Sequence, residues 1–278
     1  MQQPDAYVVI GNPVGHSKSP WIHAAFAAQT AQQMQYNTLE APLDDFAGTV
    51  RKLMDSGARG ANVTVPFKLE AFALADSMTA RARAAGAVNT LLFQDGRILA
   101  DNTDGIGLVT DIVQNAACSL RGKRVLMLGA GGAARGALLP LAEQAPAALV
   151  IANRTLARAQ DLLAVLRSDA PDCVAEASTF ADLQGPFDVI INATSASLHG
   201  ELPPLPAGLM HAETLAYDMM YGAQETPFCR YAREQGAQTR DGLGMLVEQA
   251  AEAFYLWRQV RPQTTAVLAE LRTMLQKG

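Results

Sequence analysis

The sequence predicts an α/β protein with two domains, of which the second is a doubly wound, Rossmann-type sheet. Short apolar runs alternate with helical patterns from end to end, which is typical of largely parallel sheets. A glycine-rich turn, GAGGAARG, follows one apolar run and opens a helix at 129–136. The length of 278 residues suits two domains of about 150 residues each.

The first half carries a mixed, mostly parallel sheet. Apolar runs at 6–11 and 61–65 predict strands, and the runs on either side of Asp95-Gly96 predict an antiparallel hairpin. Ser19-Pro20 supplies an N-cap and a first-turn proline for a helix that we expect to reach about Met34. Apolar residues at helical spacing predict a second helix over 46–57, and Pro66 starts a third.

The second half predicts five buried strands, at 124–128, 148–152, 173–177, 188–192 and 215–219. Helical patterns follow the first two strands directly, as a doubly wound nucleotide-binding sheet requires. The tail is helical at 243–259 and 263–276.

Composition excludes several classes of function. A net charge of −5 argues against a nucleic-acid or membrane-surface binder. Three cysteines without a CxxC pair indicate a reducing compartment, and four histidines without HExxH-like spacing predict no metal site. No stretch is typical of a signal peptide or a membrane span, so we expect a cytoplasmic monomer or homodimer that acts on a small molecule. The segment 121–160 nevertheless carries a local charge of +5, which favours an anionic ligand.

The glycine-rich turn is a candidate dinucleotide site. Gly129, Gly131 and Ala134 stand at the GxGxxG/A spacing. The glycines permit a tight turn and let the backbone approach a pyrophosphate, and the helix N-terminus supplies N–H donors. Such turns are common, but the strand at 148–152 follows at the distance that a βαβ unit requires.

The end of that next strand indicates which dinucleotide binds. NAD sites place an acidic residue there, whereas this chain has Asn153-Arg154-Thr155, with Arg158 one helical turn on. Guanidinium groups bind phosphate through paired hydrogen bonds. We therefore expect NADP(H) rather than NAD(H); the alternative is a helix N-terminus with solvated arginines.

Two polar clusters early in the chain are candidates for substrate chemistry. Ser17 and Ser19 lie just before a helix, where hydroxyls suit a small carboxylate, although an N-cap alone explains Ser19. Thr64 ends a strand, and Lys68 falls in the first turn of the next helix. A cation opposes the helix dipole there, so Lys68 is either an acid–base group or a surface lysine.

A third cluster contains Asn89, in or beside a strand, and Asp104, which follows the hairpin at the start of a helix. By default Asp104 caps that helix. Paired with Lys68, it would instead orient the ammonium group and share a proton relay with a substrate hydroxyl. Spacing alone does not decide between these two roles.

Nine motifs occur in order over most of the chain: GNPVGHSKSP, GANVTVPFK, AGAVNT, DNTDG, GAGGAARG, ANRT, INATS, YDMMY and DGLGMLVEQAA. With them the chain resembles the shikimate dehydrogenase family, NADP-dependent enzymes of aromatic amino-acid and chorismate biosynthesis. The resemblance implies reversible, NADPH-dependent reduction of 3-dehydroshikimate to shikimate. The chain departs from the closest family patterns at Ser195-Ala196-Ser197-Leu198, in a loop near the nicotinamide.

The resemblance also implies roles for individual residues. It makes Lys68 and Asp104 the catalytic pair, and it assigns substrate binding to Ser17, Ser19, Thr64, Asn89, Asp104, Tyr221 and Gln249. It assigns cofactor binding to Gly129, Ala130, Gly131, Gly132, Ala133, Asn153, Arg154, Thr155, Arg158, Thr194, Met219 and Gly242. It further implies a split substrate domain, 1–104 plus 243–278, around an NADP-binding domain at 105–242, with the active site in the cleft between them.

Two alternatives stay open. One is a quinate/shikimate dehydrogenase of the same superfamily with broader substrate and cofactor use, although Asn153-Arg154-Thr155 counts against NAD. The other is a non-enzymatic metabolite sensor on the same fold. The presence of both Lys68 and Asp104, together with the negative net charge, argues against the sensor.

Overall fold

A computed structural model describes residues 3–277, which form two compact units. Unit 1 holds the described residues up to Asp104 together with Val247–Val267, and unit 2 holds Gly105–Leu246 together with the described residues from Leu268. The sequence-based division differs, since it assigns all of 243–278 to the substrate domain. Within unit 2, Arg272 forms an ion pair with Asp241.

Unit 1 is a sheet with helices around it. Its elements are β1 (Asp5–Gly11), α1 (Ser19–Gln29), β2 (Met34–Glu40), α2 (Phe46–Asp55), β3 (Gly60–Val63), α3 (Lys68–Leu74), β4 (Ser77–Met78), α4 (Ala80–Ala85), β5 (Thr90–Gln94) and β6 (Arg97–Asp101). The strand order is β2-β1-β3-β5-β6-β4. Three of the strand pairs are parallel, and the two pairs made by β5 are antiparallel. The predicted mixed, mostly parallel sheet is confirmed.

Unit 2 is a doubly wound sheet. Its elements are α5 (Asp104–Thr110), a π-helical turn (Asp111–Asn115), β7 (Arg124–Leu128), α6 (Gly132–Ala142), β8 (Ala148–Ala152), α7 (Leu156–Asp169), β9 (Ala175–Ser178), β10 (Val189–Asn192), a 3₁₀ turn (Ala196–His199), β11 (Leu215–Asp218), α8 (Pro227–Glu234), β12 (Gln238–Asp241), α9 (Leu243–Arg258) and α10 (Thr265–Lys277). Helices α5, α9 and α10 each contain residues that are assigned to unit 1 as well as residues of unit 2.

The sheet of unit 2 has the order β12-β11-β10-β7-β8-β9, with every pair parallel. Strands β7 to β9 form one half and β10 to β12 the other, so the winding reverses between β7 and β10. In such sheets the ligand binds beyond the carboxyl ends of the strands at this switch point. The predicted Rossmann-type fold is confirmed, and it places the end of β7 at the expected binding position.

Three expectations about elements need correction. Ser19 is the first residue of α1 rather than its N-cap, which is Lys18, and the Lys18 side chain makes no capping hydrogen bond. The helix that begins at Ser19 ends at Gln29 rather than near Met34, and residues 34–40 form β2, parallel to β1. Residue Ala31, with φ 53°, turns the chain between them. The predicted strand at 173–177 is displaced to Ala175–Ser178.

Two kinds of feature are not found within residues 3–277. No helix in this range is both long and apolar enough to cross a bilayer. No group of three or more histidine, cysteine or acidic side chains in the same range is arranged to hold a metal ion.

Candidate active site

Lys68 and Asp104 lie together in unit 1. Lys68 is the first residue of α3, and Asp104 is the first residue of α5. The Nζ atom of Lys68 lies 2.5 Å from Oδ2 of Asp104. The side chains are 30% and 20% exposed, so the pair is sheltered from bulk water but still accessible. The structure thus brings together two residues whose pairing the sequence leaves open.

Asn89 fixes the other oxygen of the Asp104 carboxylate. Its Nδ2 donates to Asp104 Oδ1 at 2.8 Å, and its Oδ1 accepts from the backbone N–H of Thr103 at 2.8 Å. The side chain of Asn89 is buried, which makes its orientation well determined. Gln249, from α9, reaches the same cluster, with Oε1 3.4 Å from Thr103 Oγ1. Lys68 and Asn89 therefore bind the carboxylate of Asp104, and Gln249 lies beside it on Thr103.

The serine pair and Thr64 follow neighbouring strands of unit 1. Ser17 and Ser19 come after β1, and the Oγ of Ser17 accepts from the backbone N–H of Ser19 at 3.2 Å. Thr64 comes after β3, which pairs in parallel with β1. A Cβ on Gly11 would lie 2.5 Å from Thr64 Cγ2, so the glycine permits this close approach. All three hydroxyls thus belong to the carboxyl ends of adjacent parallel strands.

A supporting ion pair was missed from the sequence. Asp101, which directly precedes residues 102–104 in the chain, is buried. The Nε of Arg81 donates to Oδ1 of Asp101 at 2.8 Å. The guanidinium also binds Glu252 at 2.9 Å. The acidic motif DNTD was a signal for this, because a buried aspartate requires a cation or several donors.

In unit 2 the glycine-rich turn has the conformation that the sequence predicts for it. Gly129 follows β7 with φ +102°, a region that strongly favours glycine. Gly131 caps α6 and Gly132 begins it, and a Cβ on either would meet open space. The N-terminus of this helix is therefore uncovered, and the free N–H groups of helix N-termini suit an anion.

A cavity of about 360 Å³ lies at this turn in unit 2. Its lining includes predicted residues, namely Gly129, Ala130, Gly131, Asn153, Arg154 and Thr194. It also includes Phe180 and the segment 201–204, which sequence reasoning missed. The paired prolines Pro203-Pro204 were the only signal for that segment.

Two arginines follow β8 beside this cavity. Arg154 lines it, and both Arg154 and Arg158 are exposed. Among the ion pairs of the described residues neither arginine takes part, so both guanidinium groups are available to a ligand. Asn153 Nδ2 donates to the carbonyl of Thr155 at 2.9 Å, which shapes the loop. The donor set fits a ligand with a pyrophosphate and a further phosphate.

The remaining predicted cofactor residues meet at the ends of β10, β11 and β12. Thr194 Oγ1 donates to Asn192 Oδ1 at 2.7 Å, and the N–H of Met219 donates to the carbonyl of Asn192 at 2.9 Å. A Cβ on Gly242 would lie 2.1 Å from the carbonyl oxygen of Met219, so only glycine fits. Tyr221, a predicted substrate residue, also belongs to unit 2, unlike the residues around Asp104.

Comparison with known proteins identifies the family. A model of the shikimate dehydrogenase substrate binding domain matches residues 9–91, one of shikimate/quinate 5-dehydrogenase matches 111–199, and one of the shikimate 5′-dehydrogenase C-terminal domain matches 242–272. The shikimate dehydrogenase (NADP(+)) of Herminiimonas arsenicoxydans is 61% identical over 271 residues, or 98% of each chain. The chain belongs to the shikimate dehydrogenase family. The resemblance seen in the motifs is confirmed.

Solved structures agree with membership of the shikimate dehydrogenase family. An Ael1 enzyme from Pseudomonas putida superposes with a TM-score of 0.90 at 52% identity, covering 96% of this chain and 98% of that one. Shikimate 5-dehydrogenase from Thermus thermophilus, solved in complex with NADP(H) and shikimate, gives a TM-score of 0.83 at 30% identity, covering 98% and 100%. The match therefore extends over both units of the chain.

Proposed function

We propose that this protein catalyses the reversible, NADPH-dependent reduction of 3-dehydroshikimate to shikimate, a step of aromatic amino-acid biosynthesis. Relatives that align over nearly the whole chain are named shikimate dehydrogenase (NADP(+)). The protein is accordingly an NADP-dependent oxidoreductase acting on a CH–OH group. The cofactor predicted from Asn153-Arg154-Thr155 is confirmed by these relatives and by the Thermus structure with NADP(H).

The cluster of Lys68, Asp104 and Asn89 carries the proposal. An ammonium group 2.5 Å from a carboxylate is held in one place, and it has a proton to give. Because Asn89 binds the second carboxylate oxygen, the carboxylate cannot turn away from Lys68. A site that must protonate a developing alkoxide during hydride transfer requires this kind of fixed donor.

Reduction of a ketone adds a hydride to carbon and a proton to oxygen. NADPH, when bound, supplies the hydride. In the proposed mechanism Lys68 gives a proton from Nζ to the carbonyl oxygen and regains one from solvent. In the reverse direction Lys68 first releases a proton to solvent, and its neutral amine then accepts the proton of the hydroxyl. Asp104 holds the ammonium group in place and accepts a hydrogen bond from a substrate hydroxyl.

The other polar residues are assigned to substrate recognition. We assign the substrate carboxylate to Ser17 and Ser19, whose hydroxyls follow β1. The ring hydroxyls are assigned to side chains that can both donate and accept hydrogen bonds: Thr64, Asn89, Tyr221 and Gln249. Partial burial and the nearby Asp241 raise the pKa of Tyr221 above its ordinary value, so its hydroxyl remains a donor as well as an acceptor.

For the cofactor we assign the pyrophosphate to residues 129–133, at the N-terminus of α6. The additional phosphate of NADP is assigned to the loop after β8, where the donors are Asn153, Arg154, Thr155 and Arg158. Thr194, Met219 and Gly242, at the ends of the other three strands, are assigned to the remaining half of the dinucleotide.

Initial rates with shikimate and with quinate, each with NADP and with NAD, test the proposal. We expect the highest kcat/KM with shikimate and NADP. Equal or higher efficiency with quinate or NAD would favour the broader quinate/shikimate dehydrogenase. Binding of shikimate without turnover under any of the four conditions would favour the metabolite sensor.

Further expectations remain predictions. These are the split domain boundaries, the cytoplasmic location, the absence of nucleic-acid binding, and a monomeric or homodimeric state. The net charge of −5 and the three unpaired cysteines support the expectations about location and nucleic acid.

A further inference from the structure

Asp218 is a fully buried carboxylate that the proposed mechanism does not use. It is the last residue of β11 and has no exposed surface. Its Oδ1 accepts from Asn192 Nδ2 at 3.1 Å and from the N–H of Met220 at 3.1 Å. Its Oδ2 accepts from the hydroxyls of Ser197 and Thr226, both at 2.7 Å. All four donors are neutral.

Two other buried aspartates have cations beside them. Asp111, also fully buried in unit 2, is bound by both Nε and Nη2 of Arg240 at 2.7 Å. Asp101 is bound by Arg81 in the same manner. Asp218 takes part in no ion pair with a described residue. The N-terminus of α8, capped by Thr226, offers Asp218 only a partial positive charge.

Hydrogen bonding alone does not require a charge at Asp218. An asparagine could accept from Asn192 and Met220 through its Oδ1. Its Nδ2 would face two hydroxyl oxygens, which can turn and accept hydrogen bonds. Burying an unpaired charge is costly, so a neutral side chain with the same shape would be the cheaper solution. Burial accordingly raises the pKa of Asp218 above its ordinary value.

The position of Asp218 indicates what the charge acts on. It ends one of the three strands β10 to β12, the half of the sheet that takes the second mononucleotide of a dinucleotide. That mononucleotide is the nicotinamide half, because the phosphate-binding arginines follow β8 in the other half. Through Asn192, Asp218 also supports Thr194, which lines the cofactor cavity.

We propose that Asp218 is a positioning residue whose negative charge favours the oxidised, positively charged nicotinamide ring over the reduced, neutral ring. The proposal rests on the proposed use of NADP by this chain. The two cofactor forms carry the same phosphates, so a charge near the ring is the feature that separates their affinities. Ser197, in the segment where the chain departs from its family's pattern, holds the carboxylate in place from the loop after β10.

The test compares dissociation constants for NADP⁺ and NADPH, measured by calorimetry and by nicotinamide fluorescence, in the wild type and in Asp218→Asn. We expect the ratio Kd(NADP⁺)/Kd(NADPH) to rise about tenfold in the variant, because only the oxidised ring loses a favourable interaction with the negative charge. A purely structural role would change both constants by the same factor. Asp218→Ser serves as a second neutral variant if the asparagine variant does not fold.

Asp188→Asn is the matched control, since it makes the same substitution directly before β10, at the amino ends of the strands and away from the proposed cofactor site. Its ratio should stay at the wild-type value. An unchanged ratio in the Asp218 variants, or an equal rise in Asp188→Asn, would overturn the proposal. Failure of the wild type to bind NADP⁺ or to oxidise shikimate would instead contradict the proposed function.

Discussion

Lys68 and Asp104 form an ion pair in which Nζ lies 2.5 Å from Oδ2, while Oδ1 of the same carboxylate accepts from Asn89. Each oxygen of Asp104 thus has its own donor. If the ammonium group of Lys68 moved away, the carboxylate of Asp104, which is largely shielded from water, would keep an unpaired negative charge. The position of the proposed proton donor is therefore set by Asp104 and, through it, by Asn89, both of which are distant from Lys68 in the sequence.

Replacement of Lys68 by alanine should lower kcat about 100-fold or more, the usual scale for loss of a general acid, with a smaller change in KM for shikimate. In this variant Asn89 still donates a hydrogen bond to Asp104, so the carboxylate in the substrate site keeps one of its two donors. Steady-state kinetics in both reaction directions measure the effect. Lys52→Ala is the control, because Lys52 is 81% exposed and pairs with Asp45 outside the cluster. A near-normal kcat in Lys68→Ala would remove Lys68 from the mechanism.

Replacement of Arg154 by aspartate should raise the KM for NADPH at least about tenfold, because a carboxylate repels the additional phosphate that the guanidinium binds. The KM for NADH should change much less. Arg121→Asp makes the same change of charge at an exposed site before β7, and it should leave both constants near the wild-type values. Equal effects of the two substitutions on NADPH would indicate a general electrostatic effect rather than a phosphate site.

The sequence motifs predicted the residues of the candidate site better than they predicted the contacts that hold those residues in place. Loops such as those at 129–136 and 153–155 carry their chemistry in a contiguous stretch, so the sequence alone indicates it. The contact of Asn89 with Asp104 joins positions that only the β5–β6 hairpin brings together. Arg81 and Phe180 were missed because their partners are set by packing and follow no local pattern.

The fold was predicted where strands are buried on both faces, whereas at the sheet edges only β9 was predicted, and it was displaced. Strands β7, β8 and β10 have continuous apolar runs because parallel sheets are covered on both sides. Strands β2 and β12 lie at the edges of their sheets and carry mostly polar residues, such as Gln35, Asn37 and Gln238. Since no apolar run or clear alternation occurs there, neither β2 nor β12 was predicted, and the helix from Ser19 was expected to reach about Met34, where β2 begins.

Replacement of Arg240 by methionine should destabilise the protein by about 3 kcal/mol, because removal of one partner leaves the other buried and unpaired. Asp111 would keep only its neutral donors, among them Tyr217 Oη at 2.8 Å. Urea unfolding with a fixed m-value measures the loss. Arg233→Met breaks an exposed pair with Glu225 and should leave the midpoint nearly unchanged. Similar midpoints for the two variants would show that burial of Asp111 carries no penalty.

His23 should make the protein less stable in mild acid. Its ring is fully buried in unit 1, stacked on Tyr36 with centroids 4.1 Å apart, and its nitrogens have no partner among the described residues. Burial lowers the pKa of His23 from 6.5 to about 3. Between those values the unfolded chain binds a proton that the folded chain excludes, so the free energy of unfolding falls as pH falls.

Replacement of His23 by phenylalanine tests this linkage. Between pH 7 and pH 5 the wild type should lose about 2 kcal/mol more stability than His23→Phe, since each pH unit below the unfolded pKa contributes about 1.4 kcal/mol. Urea unfolding at the two pH values measures the difference. His211→Phe is the control, because His211 is partly exposed and accepts from the backbone N–H of Glu213. Parallel loss of stability in the wild type and His23→Phe would show that His23 is protonated in the folded protein as readily as in the unfolded chain.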